Sequence, residues 1–266
     1  MANAYYSLGD ERGARVRDLF SRIAGRYDLI NDIQSLGLHR LWKSRLIELA
    51  QIVHGTRVLD VCSGTGDLAL AMWKEGVEVT GVDFCAPMLK VASDRSSAAA
   101  RGGHQVRFAQ ADALNLPFAD NSFDVVTVGY GLRNLANLDR ALAELLRVLR
   151  AGGRLCVLDF GKPESASWRV CYETYLACVV PIFGWVFVGD PAAYAYILES
   201  LKHYPGQRGV DEKLRCLGCQ RTRVVNFLGG AMSLNLAETP PKSPDSSFET
   251  TLKPSFQSVS GCDSQD

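Results

Sequence analysis

Val58-Leu59-Asp60-Val61-Cys62-Ser63-Gly64-Thr65-Gly66-Asp67 is the stretch that decides the fold. The mostly apolar residues 58–61 predict a buried parallel strand, and residues 68–73 open a helix after the two glycines. A strand, a glycine turn and a helix, in this order, form the place where an α/β fold brings its backbone close to a nucleotide-like ligand. Glycine is needed there because a Cβ atom would push the ligand away. The stretch therefore predicts a ligand site.

The next strand narrows the choice of ligand. Residues 77–82 predict a second strand that ends in Asp83. A carboxylate about 20 positions after the glycines can accept both hydroxyl hydrogens of a ribose, which suits NAD and S-adenosylmethionine equally. However, Gly66 is followed by Asp67, and not by the two residues and third glycine that pack a helix under a pyrophosphate. Because an acid at the start of a helix repels anions, we favour the cationic S-adenosylmethionine.

Composition places the chain among ordinary globular proteins. Its 266 residues allow one α/β domain, and its 29 basic and 29 acidic side chains give no net field that would steer it to nucleic acid. Residues 1–20 have no apolar central region, so we expect no secretory signal and a cytoplasmic location. Five of the eight cysteines have apolar neighbours and are expected to be buried free thiols: Cys62, Cys85, Cys156, Cys171 and Cys178. Cys216 and Cys219 have no second Cys or His pair beside them, so we predict no metal site.

Strands alternate with helices through the middle of the chain. Strands are predicted at about residues 57–62, 77–83, 106–110, 123–128 and 154–160. Near the end, residues 222–228 and 231–236 flank two glycines and predict a hairpin at the sheet edge. The pattern predicts an α/β fold with a doubly wound, mostly parallel sheet.

The domain boundaries follow changes in composition. We predict one domain over residues 1–237, with an N-terminal helical lid at 15–55, a core at 56–237 and an apolar insertion at about 165–205. Within the insertion, residues 175–189 are nearly all apolar but shorter than the roughly 20 residues that span a bilayer. They predict a core or cap helix, a wall for an apolar substrate, or a surface that touches a membrane. Residues 238–266 are rich in Ser, Pro, Thr and Asp and predict a disordered tail.

Several spaced motifs carry a family resemblance over roughly residues 15–237. The run from Val58 to Asp83 resembles the class I S-adenosylmethionine-dependent methyltransferases, which have a Rossmann-like, seven-stranded sheet. More narrowly, Tyr27-Asp28-x-x-Asn31-Asp32-x-x-Ser35-x-x-x-His39-x-x-Trp42 resembles the N-terminal motif of the quinone-biosynthesis C-methyltransferases. Further matches are Gly131-Leu132-Arg133-Asn134, the run from Arg147 to Gly153 and the run from Asp190 to Pro205.

The chain departs from that family in a few places. Ile30 stands where Met is usual, Arg150-Ala151 where Lys-Pro is usual, and Leu217-Gly218-Cys219 where Ala-Gly-Phe is usual. Asp159-Phe160-Gly161 replaces the usual Glu-x-Ser. These changes lie outside the expected cofactor site and bear on the fit of the substrate.

The resemblance implies a set of cofactor-binding residues. Gly64, Thr65 and Gly66 would form the turn, Asp83 would hold the ribose, and Gly129 would end the fourth strand at the same site. Asp112 and Ala113 follow the third strand, where that fold holds the adenine. Asp67 would hold the methionine amino group or cap its helix, and these alternatives stay open.

The resemblance also implies transfer of a methyl group to a ring carbon of a prenylated quinol. Such a carbon becomes nucleophilic when the neighbouring hydroxyl ionises. The pKa of that hydroxyl should be about 10, as for tyrosine. Arg133 is therefore the candidate that stabilises the phenolate, and a surface or ion-pair arginine is the alternative. Tyr27 and His39 are the candidates that hold the quinol hydroxyls, and packing is the alternative role of each.

Three readings of function remain open at this point. The first is C-methylation of demethylmenaquinol or of a polyprenyl-benzoquinol, and the lack of a Phe-Gly-rich N-terminal extension favours menaquinone. The second is methylation of another small apolar acceptor. The third is a cofactor-binding scaffold in a quinone-making complex. Peripheral contact with the inner face of the membrane and a homodimer also remain open.

Overall fold

Residue 5 and residues 11–100 and 105–241 are described by a computed structural model of the chain. Seven strands form one sheet in the order β3-β2-β1-β4-β5-β7-β6. The strands are β1 (Arg57–Val61), β2 (Glu78–Asp83), β3 (Arg107–Gln110), β4 (Phe123–Gly129), β5 (Leu149–Phe160), β6 (Gln220–Phe227) and β7 (Met232–Glu238).

Helices precede and connect these strands. They are α1 (Glu11–Ile23), α2 (Tyr27–Gln34), α3 (Leu38–Ala50), α4 (Asp67–Trp73), α5 (Ala86–Ala99), α6 (Leu138–Val148), α7 (Ala166–Cys178), α8 (Val180–Val188), α9 (Ala192–His203) and α10 (Gly206–Cys216). The predicted alternation of strands and helices is confirmed.

The strand β1 lies at the centre of the parallel part of the sheet. It pairs in parallel with β2 on one side and with β4 on the other. Residues 58–61 are all buried, because helices cover both faces of a parallel sheet. The strand order reverses between β1 and β4, and an open α/β sheet binds its ligands outside the carboxyl ends of the strands at such a point. The turn that opens the sequence thus lies where a ligand site is expected.

The predicted C-terminal hairpin is confirmed, with β7 between β5 and β6. Both pairings are antiparallel, and β6 is the edge strand. The hairpin is longer than predicted: Glu238 pairs with Arg154, and the Thr239 amide donates to the Gly153 carbonyl. The predicted start of the tail at residue 238 is therefore wrong, and residues 242–266 lie outside the described part of the chain.

The strand β5 also begins earlier than the predicted residue 154. Leu149 already pairs with Phe123, and the register then shifts before Val125 pairs with Arg154. Gly153 has no room for a side chain, since a Cβ atom would lie 2.8 Å from the Arg150 carbonyl oxygen. The glycines that predicted a turn thus belong to an irregularity inside the strand.

The helices α1 to α3 form a cap at the N-terminal side of the chain. Val16, Leu19 and Ile23 of α1 are buried, as their helical spacing predicts. The Arg17 guanidinium lies 5.4 Å from the centre of the Phe84 ring, just after β2. The cap therefore packs over the carboxyl end of the sheet.

The predicted apolar insertion forms α7, α8 and α9. The stretch Ala166–Phe187 is 22 residues long and apolar enough to span a membrane by length and composition, and 22% of its apolar window is buried. In α8, Ile182, Trp185 and Val186 are more than half exposed. The expectation that Cys171 and Cys178 are buried is wrong, because α7 buries only Tyr172 and Leu176.

Candidate active site

A cavity of about 420 Å³ lies at the carboxyl ends of β1, β2 and β4, under α1. It brings together residues predicted from four separate parts of the sequence. Gly64, Asp83, Asp112, Ala113 and Gly129 all line it. We call it the cofactor cavity.

Asp83 fixes the glycine turn on one wall of this cavity. Its carboxylate accepts hydrogen bonds from the amides of Gly64 and Cys85, both at 2.9 Å. Burial raises the pKa of Asp83, although the backbone donors oppose the change. A carboxylate has about four acceptor positions, so Asp83 keeps acceptor capacity for a ribose hydroxyl.

Gly66 and Thr65 connect the turn to its surroundings. Gly66 has φ +78°, and a Cβ atom there would lie 2.7 Å from the Phe108 ring and 2.9 Å from Ala92. The Thr65 hydroxyl donates to Asp28 of α2 at 2.7 Å. Close packing explains why Gly66 is glycine, whereas Thr65 joins the turn to the cap.

Asp60 of β1 is a site residue that the sequence analysis missed. It is 1% exposed, and its Oδ1 accepts from the Thr127 hydroxyl at 2.6 Å. Its Oδ2 has no partner among the described residues and lies beside a small cavity of about 30 Å³. Burial raises the pKa of Asp60 to about 7. A buried acid inside an otherwise apolar strand was the signal in the sequence.

The negative charge of Asp67 at the start of α4 is balanced by cations of the chain. Its carboxylate lies 2.6 Å from the Lys43 ammonium and 3.7 Å from the Arg95 guanidinium. Burial raises the pKa of Asp67, but the charges of Lys43 and Arg95 outweigh it and hold the pKa below its usual value. Asp67 is thus occupied by cations of the chain and neither caps its helix nor carries a free charge.

A second cavity of about 420 Å³ lies between the cap and the helices α7 to α9. Its walls are mostly apolar or aromatic and include Trp42, Phe160, Tyr172, Leu176, Val180 and Ile197. Arg133 and His39 also line it. Phe20, Tyr27 and Tyr130 line both this cavity, which we call the acceptor cavity, and the cofactor cavity. The two cavities therefore adjoin at these three aromatic residues.

Arg133 lies in the wall of the acceptor cavity, and its charge is already paired. Its Nη1 donates to Asp159 Oδ1 and to the Tyr130 carbonyl, both at 2.6 Å, and its Nη2 donates to the Tyr196 hydroxyl at 3.2 Å. The guanidinium carbon lies 4.4 Å from the centre of the Phe160 ring. Burial opposes the charge of Arg133, but Asp159 and the tyrosines outweigh it and raise its pKa. The predicted cation is present, as half of a buried ion pair.

His39 and Tyr27 also line the acceptor cavity. His39 Nδ1 is 2.8 Å from the Ser35 hydroxyl, and its Nε2 is 3.6 Å from Asp32. Burial and the charge of Lys43 lower the pKa of His39, so the ring is neutral at pH 7. Burial raises the pKa of Tyr27, which stays a phenol. Both residues face the cavity in neutral forms.

Comparison with known proteins decides the family. Residues 7–238 match the ubiE/COQ5 methyltransferase family. The chain belongs to this family. It is 42% identical over 235 residues to the ubiquinone/menaquinone biosynthesis C-methyltransferase UbiE of Azotobacter vinelandii, covering 87% of this chain and 92% of that protein. UbiE of Stutzerimonas stutzeri is 40% identical over 228 residues, covering 85% and 89%.

Solved structures agree on the fold of this methyltransferase. An S-adenosylmethionine-dependent methyltransferase from Aquifex aeolicus has a TM-score of 0.55 at 18% identity, covering 79% of this chain and 97% of that one. The [4+2]-cyclase SpnF has a TM-score of 0.60 at 19% identity, covering 91% and 100%. At such identities the likeness extends to the fold alone. The seven-stranded, Rossmann-like architecture predicted from the sequence is thereby confirmed.

The family makes the chain an S-adenosylmethionine-dependent C-methyltransferase, and the cofactor cavity fits this cofactor. Asp60 lines the small neighbouring cavity, and its unpaired oxygen suits an ammonium group. Asp83 lines the cofactor cavity itself and keeps acceptor capacity for a ribose hydroxyl. The cavity also runs past Asp112 and Ala113, as predicted for the adenine. Asp67 does not compete for that ammonium group, since its carboxylate is held by Lys43.

The acceptor cavity of the methyltransferase carries unpaired polar atoms in its apolar wall. Four buried atoms there have no hydrogen-bond partner among the described residues: Gln34 Nε2, Tyr130 Oη, Arg133 Nε and Tyr194 Oη. A buried donor without a partner is costly, so a native structure is expected to pair it with a ligand or water. The cavity is therefore suited to an apolar molecule with a few polar substituents.

Proposed function

We propose that the methyl acceptor is a prenylated quinol and, more narrowly, demethylmenaquinol. The observation that carries this proposal is the meeting of an apolar cavity with the cofactor cavity at Tyr27 and Tyr130, beside buried Arg133. An aromatic, mostly apolar wall suits a naphthoquinol ring and the start of its isoprenoid tail. The names of the relatives, which act in ubiquinone/menaquinone biosynthesis, support the same class of acceptor.

The cofactor would be held by acids at the ends of neighbouring strands. We assign its amino group to Asp60, its ribose to Asp83 and its adenine to Asp112 and Ala113, with the backbone of Gly64 and Gly129 alongside. When bound, it would supply the methyl group for the ring carbon, with a neutral thioether as the leaving group, and that carbon would lose its hydrogen as a proton to water.

Arg133 would stabilise the ionised ring oxygen of the acceptor. Because Asp159 already balances its charge, the pair offers oriented N–H groups more than a net positive charge. The unpaired Nε hydrogen is the donor that remains for this role. We propose that Tyr27 packs against the ring. We assign His39 to holding the cap, because both of its ring nitrogens face polar groups of the cap.

The acceptor cavity would open towards a lipid surface. Leu36, Trp168 and Leu228 line the cavity and are 86%, 41% and 51% exposed. The neighbouring helix α8 is composed almost entirely of apolar residues and exposes Ile182 and Trp185. Exposed apolar helices with tryptophan are typical of proteins that lie in a membrane interface. We therefore propose a cytoplasmic enzyme in peripheral contact with the inner face of the membrane.

Complementation tests the choice between the two quinone pathways. The chain would be expressed in cells that lack their own quinone C-methyltransferase, and the quinone pool would be analysed by mass spectrometry. We expect methylated menaquinone to return without ubiquinone, and no return with the Arg133→Met variant as control. Return of ubiquinone alone would overturn the assignment to menaquinone, and no methylated quinone at normal protein levels would overturn the quinol proposal.

A further inference from the structure

Tyr130 occupies a strained position directly after β4. Its φ is +62°, in the left-handed region that non-glycine residues rarely adopt. Its amide donates to the Leu158 carbonyl at 2.7 Å, and its carbonyl accepts from Arg133 at 2.6 Å. Both backbone groups are thus held by neighbours. Residues held in rare conformations are concentrated at functional sites.

The side chain of Tyr130 lies where three cavities meet. It lines the cofactor cavity, the acceptor cavity and the small cavity beside Asp60. Tyr27 is the other residue that lines all three among those described. A group at this junction is close to both the bound cofactor and the bound acceptor.

The ring of Tyr130 is fixed, but its hydroxyl is not paired. The Lys43 ammonium lies 5.7 Å from the ring centre, and the Phe160 ring packs edge-on at 6.2 Å between centroids. The hydroxyl oxygen is buried and has no hydrogen-bond partner within the described part of the chain. By contrast, the Tyr172 hydroxyl donates to the Ala231 carbonyl, and the Tyr196 hydroxyl accepts from Arg133. Tyr130 therefore presents one fixed, free donor to the junction.

We infer that Tyr130 is a further catalytic residue, whose phenol donates a hydrogen bond to the ionised ring oxygen of the acceptor. This inference rests on the proposed phenol-type acceptor. Burial and the neighbouring Tyr27 raise the pKa of Tyr130 well above its usual value, so it stays protonated and cannot be the base. A donor held against the ring oxygen favours its ionised form and makes the adjacent carbon more nucleophilic.

The variant Tyr130→Phe removes only the hydroxyl and gives a turnover test. A hydrogen bond to a charged group is worth about 10- to 100-fold, so we expect kcat at neutral pH to fall by about that factor. The deficit should shrink as the pH rises towards about 10, where the acceptor ionises without help. The Tm of the free protein should stay unchanged or rise, because a buried unpaired hydroxyl has been removed.

Tyr204→Phe is the matched control. Tyr204 is also a buried tyrosine, but it lines none of the three cavities. We expect its kcat and the pH dependence of its kcat to equal those of the unmodified enzyme. A lower Tm together with an unchanged pH profile in Tyr130→Phe would assign Tyr130 a structural role and overturn the inference. An unchanged kcat would overturn it as well.

A binding measurement separates this inference from the proposed acceptor. 1-Naphthol, whose ionised form is followed by absorbance, would be bound to the protein in the presence of S-adenosylhomocysteine. We expect it to ionise at a lower pH on the unmodified protein than on Tyr130→Phe. If 1-naphthol ionises at a lower pH on the unmodified protein but no quinol is turned over, the role of Tyr130 is retained and the quinol proposal is rejected. Ionisation at the same pH on both proteins would reject the role of Tyr130.

Discussion

The two cavities differ in how the chain builds them. Most of the cofactor cavity comes from residues at or just after the ends of neighbouring strands, such as Gly64, Asp83, Asp112 and Gly129. The acceptor cavity is assembled from the cap, the segment 130–133, the helices α7 to α9 and the turn before β7. The first has the carboxylates of Asp83 and Asp112 in its wall, whereas the second is almost wholly apolar.

Because the two cavities are built differently, the cofactor site can be predicted from the sequence more readily than the acceptor site. A cofactor site at strand ends leaves a local pattern, because topology alone brings those ends together. An acceptor site built from distant helices leaves only scattered aromatic and apolar residues. We expect substitutions in the two cavities to have separable effects, except at Phe20, Tyr27 and Tyr130, which line both cavities.

The largest expected effect is in the acceptor cavity, from Arg133→Met. We expect kcat to fall by about 100- to 1,000-fold, as when a donor to a developing oxyanion is removed. The affinity for S-adenosylhomocysteine, measured by isothermal titration, should stay unchanged, because Arg133 does not line the cofactor cavity. Equal loss of cofactor binding would remove the separation of the two cavities.

Stability has to be controlled in that experiment. Loss of one partner of a buried ion pair costs about 3–5 kcal/mol, because Asp159 would be left uncompensated. The double variant Arg133→Met/Asp159→Asn removes both charges and keeps an acceptor for the Phe160 amide. We expect its Tm to recover and its kcat to stay low. Recovery of both Tm and kcat in the double variant would show that Arg133 affects stability alone.

The next effect is expected beside the cofactor cavity, from Asp60→Asn. We expect the Kd of S-adenosylhomocysteine to rise by about tenfold at neutral pH, because a hydrogen bond from an ammonium to a carboxylate is lost. Acceptor binding should not change. Asp67→Asn is the comparison, since its carboxylate already binds Lys43. A larger loss of affinity in Asp67→Asn than in Asp60→Asn would reverse the assignment of the amino group.

The raised pKa of Asp60 predicts a pH dependence. The pKa is about 7 in the folded protein and about 3.9 in an unfolded chain. The raised pKa of Asp60 therefore adds to the free energy of unfolding. This contribution is fully present below about pH 4 and is lost as the pH rises through about 7. A bound ammonium favours the carboxylate, so affinity for S-adenosylhomocysteine should increase from about pH 5.5 to about 7. A flat profile between these values, or the same slope in Asp60→Asn, would contradict this role.

A smaller effect is expected at the contact that joins cap and turn, from Asp28→Ala. Asp28 accepts from the Thr65 hydroxyl at 2.7 Å and from Arg95 at 2.6 Å. Asp28 is partly exposed, so its ion pair is worth at most about 1 kcal/mol. Because the cap lines both cavities, we expect a modest rise of KM for both substrates and faster hydrogen exchange in residues 11–34. Glu11→Ala, which removes an exposed salt bridge on α1, should change neither KM nor the hydrogen exchange of these residues. A rise of KM for only one substrate would show that the cap serves one cavity.

The smallest effect on chemistry is expected from Ile182→Ser/Trp185→Ser on α8. Turnover of a soluble short-chain quinol should not change, while binding to phospholipid vesicles in a flotation assay should be lost. Val53→Ser removes an exposed apolar residue elsewhere and should keep vesicle binding. Retained vesicle binding in the double variant, or a dimer that dissociates instead, would overturn the membrane role of α8.

The strands could be predicted from the sequence because each carries its own pattern. Residues 57–62 and 77–83 were placed within one residue at each end, and Asp83 was found because it ends a strand. The first part of β5, Leu149–Gly153, could not be predicted as a strand. Its glycines indicate a turn, but in the structure they occupy a crowded, irregular part of β5. A short-range signal cannot distinguish these two uses of glycine.

Pairings between distant residues could not be predicted. Nothing local indicates that Lys43 neutralises Asp67, that Asp159 balances Arg133, or that Tyr130 keeps an unpaired hydroxyl. Asp60 was visible as an acid in a buried strand, but its unpaired oxygen depends on where Thr127 lies. Ion pairs and unpaired atoms depend on tertiary contacts. Arg133 could therefore be predicted from the sequence, but the residue that balances its charge could not.

The central claim is that this chain places a methyl group on a ring carbon of a quinol in the acceptor cavity. The most direct measurement uses the purified enzyme, reduced demethylmenaquinol and S-adenosylmethionine carrying a carbon-13 methyl group, with product analysis by mass spectrometry and NMR. We expect the label on a ring carbon of the naphthoquinol, and no labelled quinol from Arg133→Met. Label on a ring oxygen, or no labelled quinol from an enzyme that binds the cofactor, would contradict it.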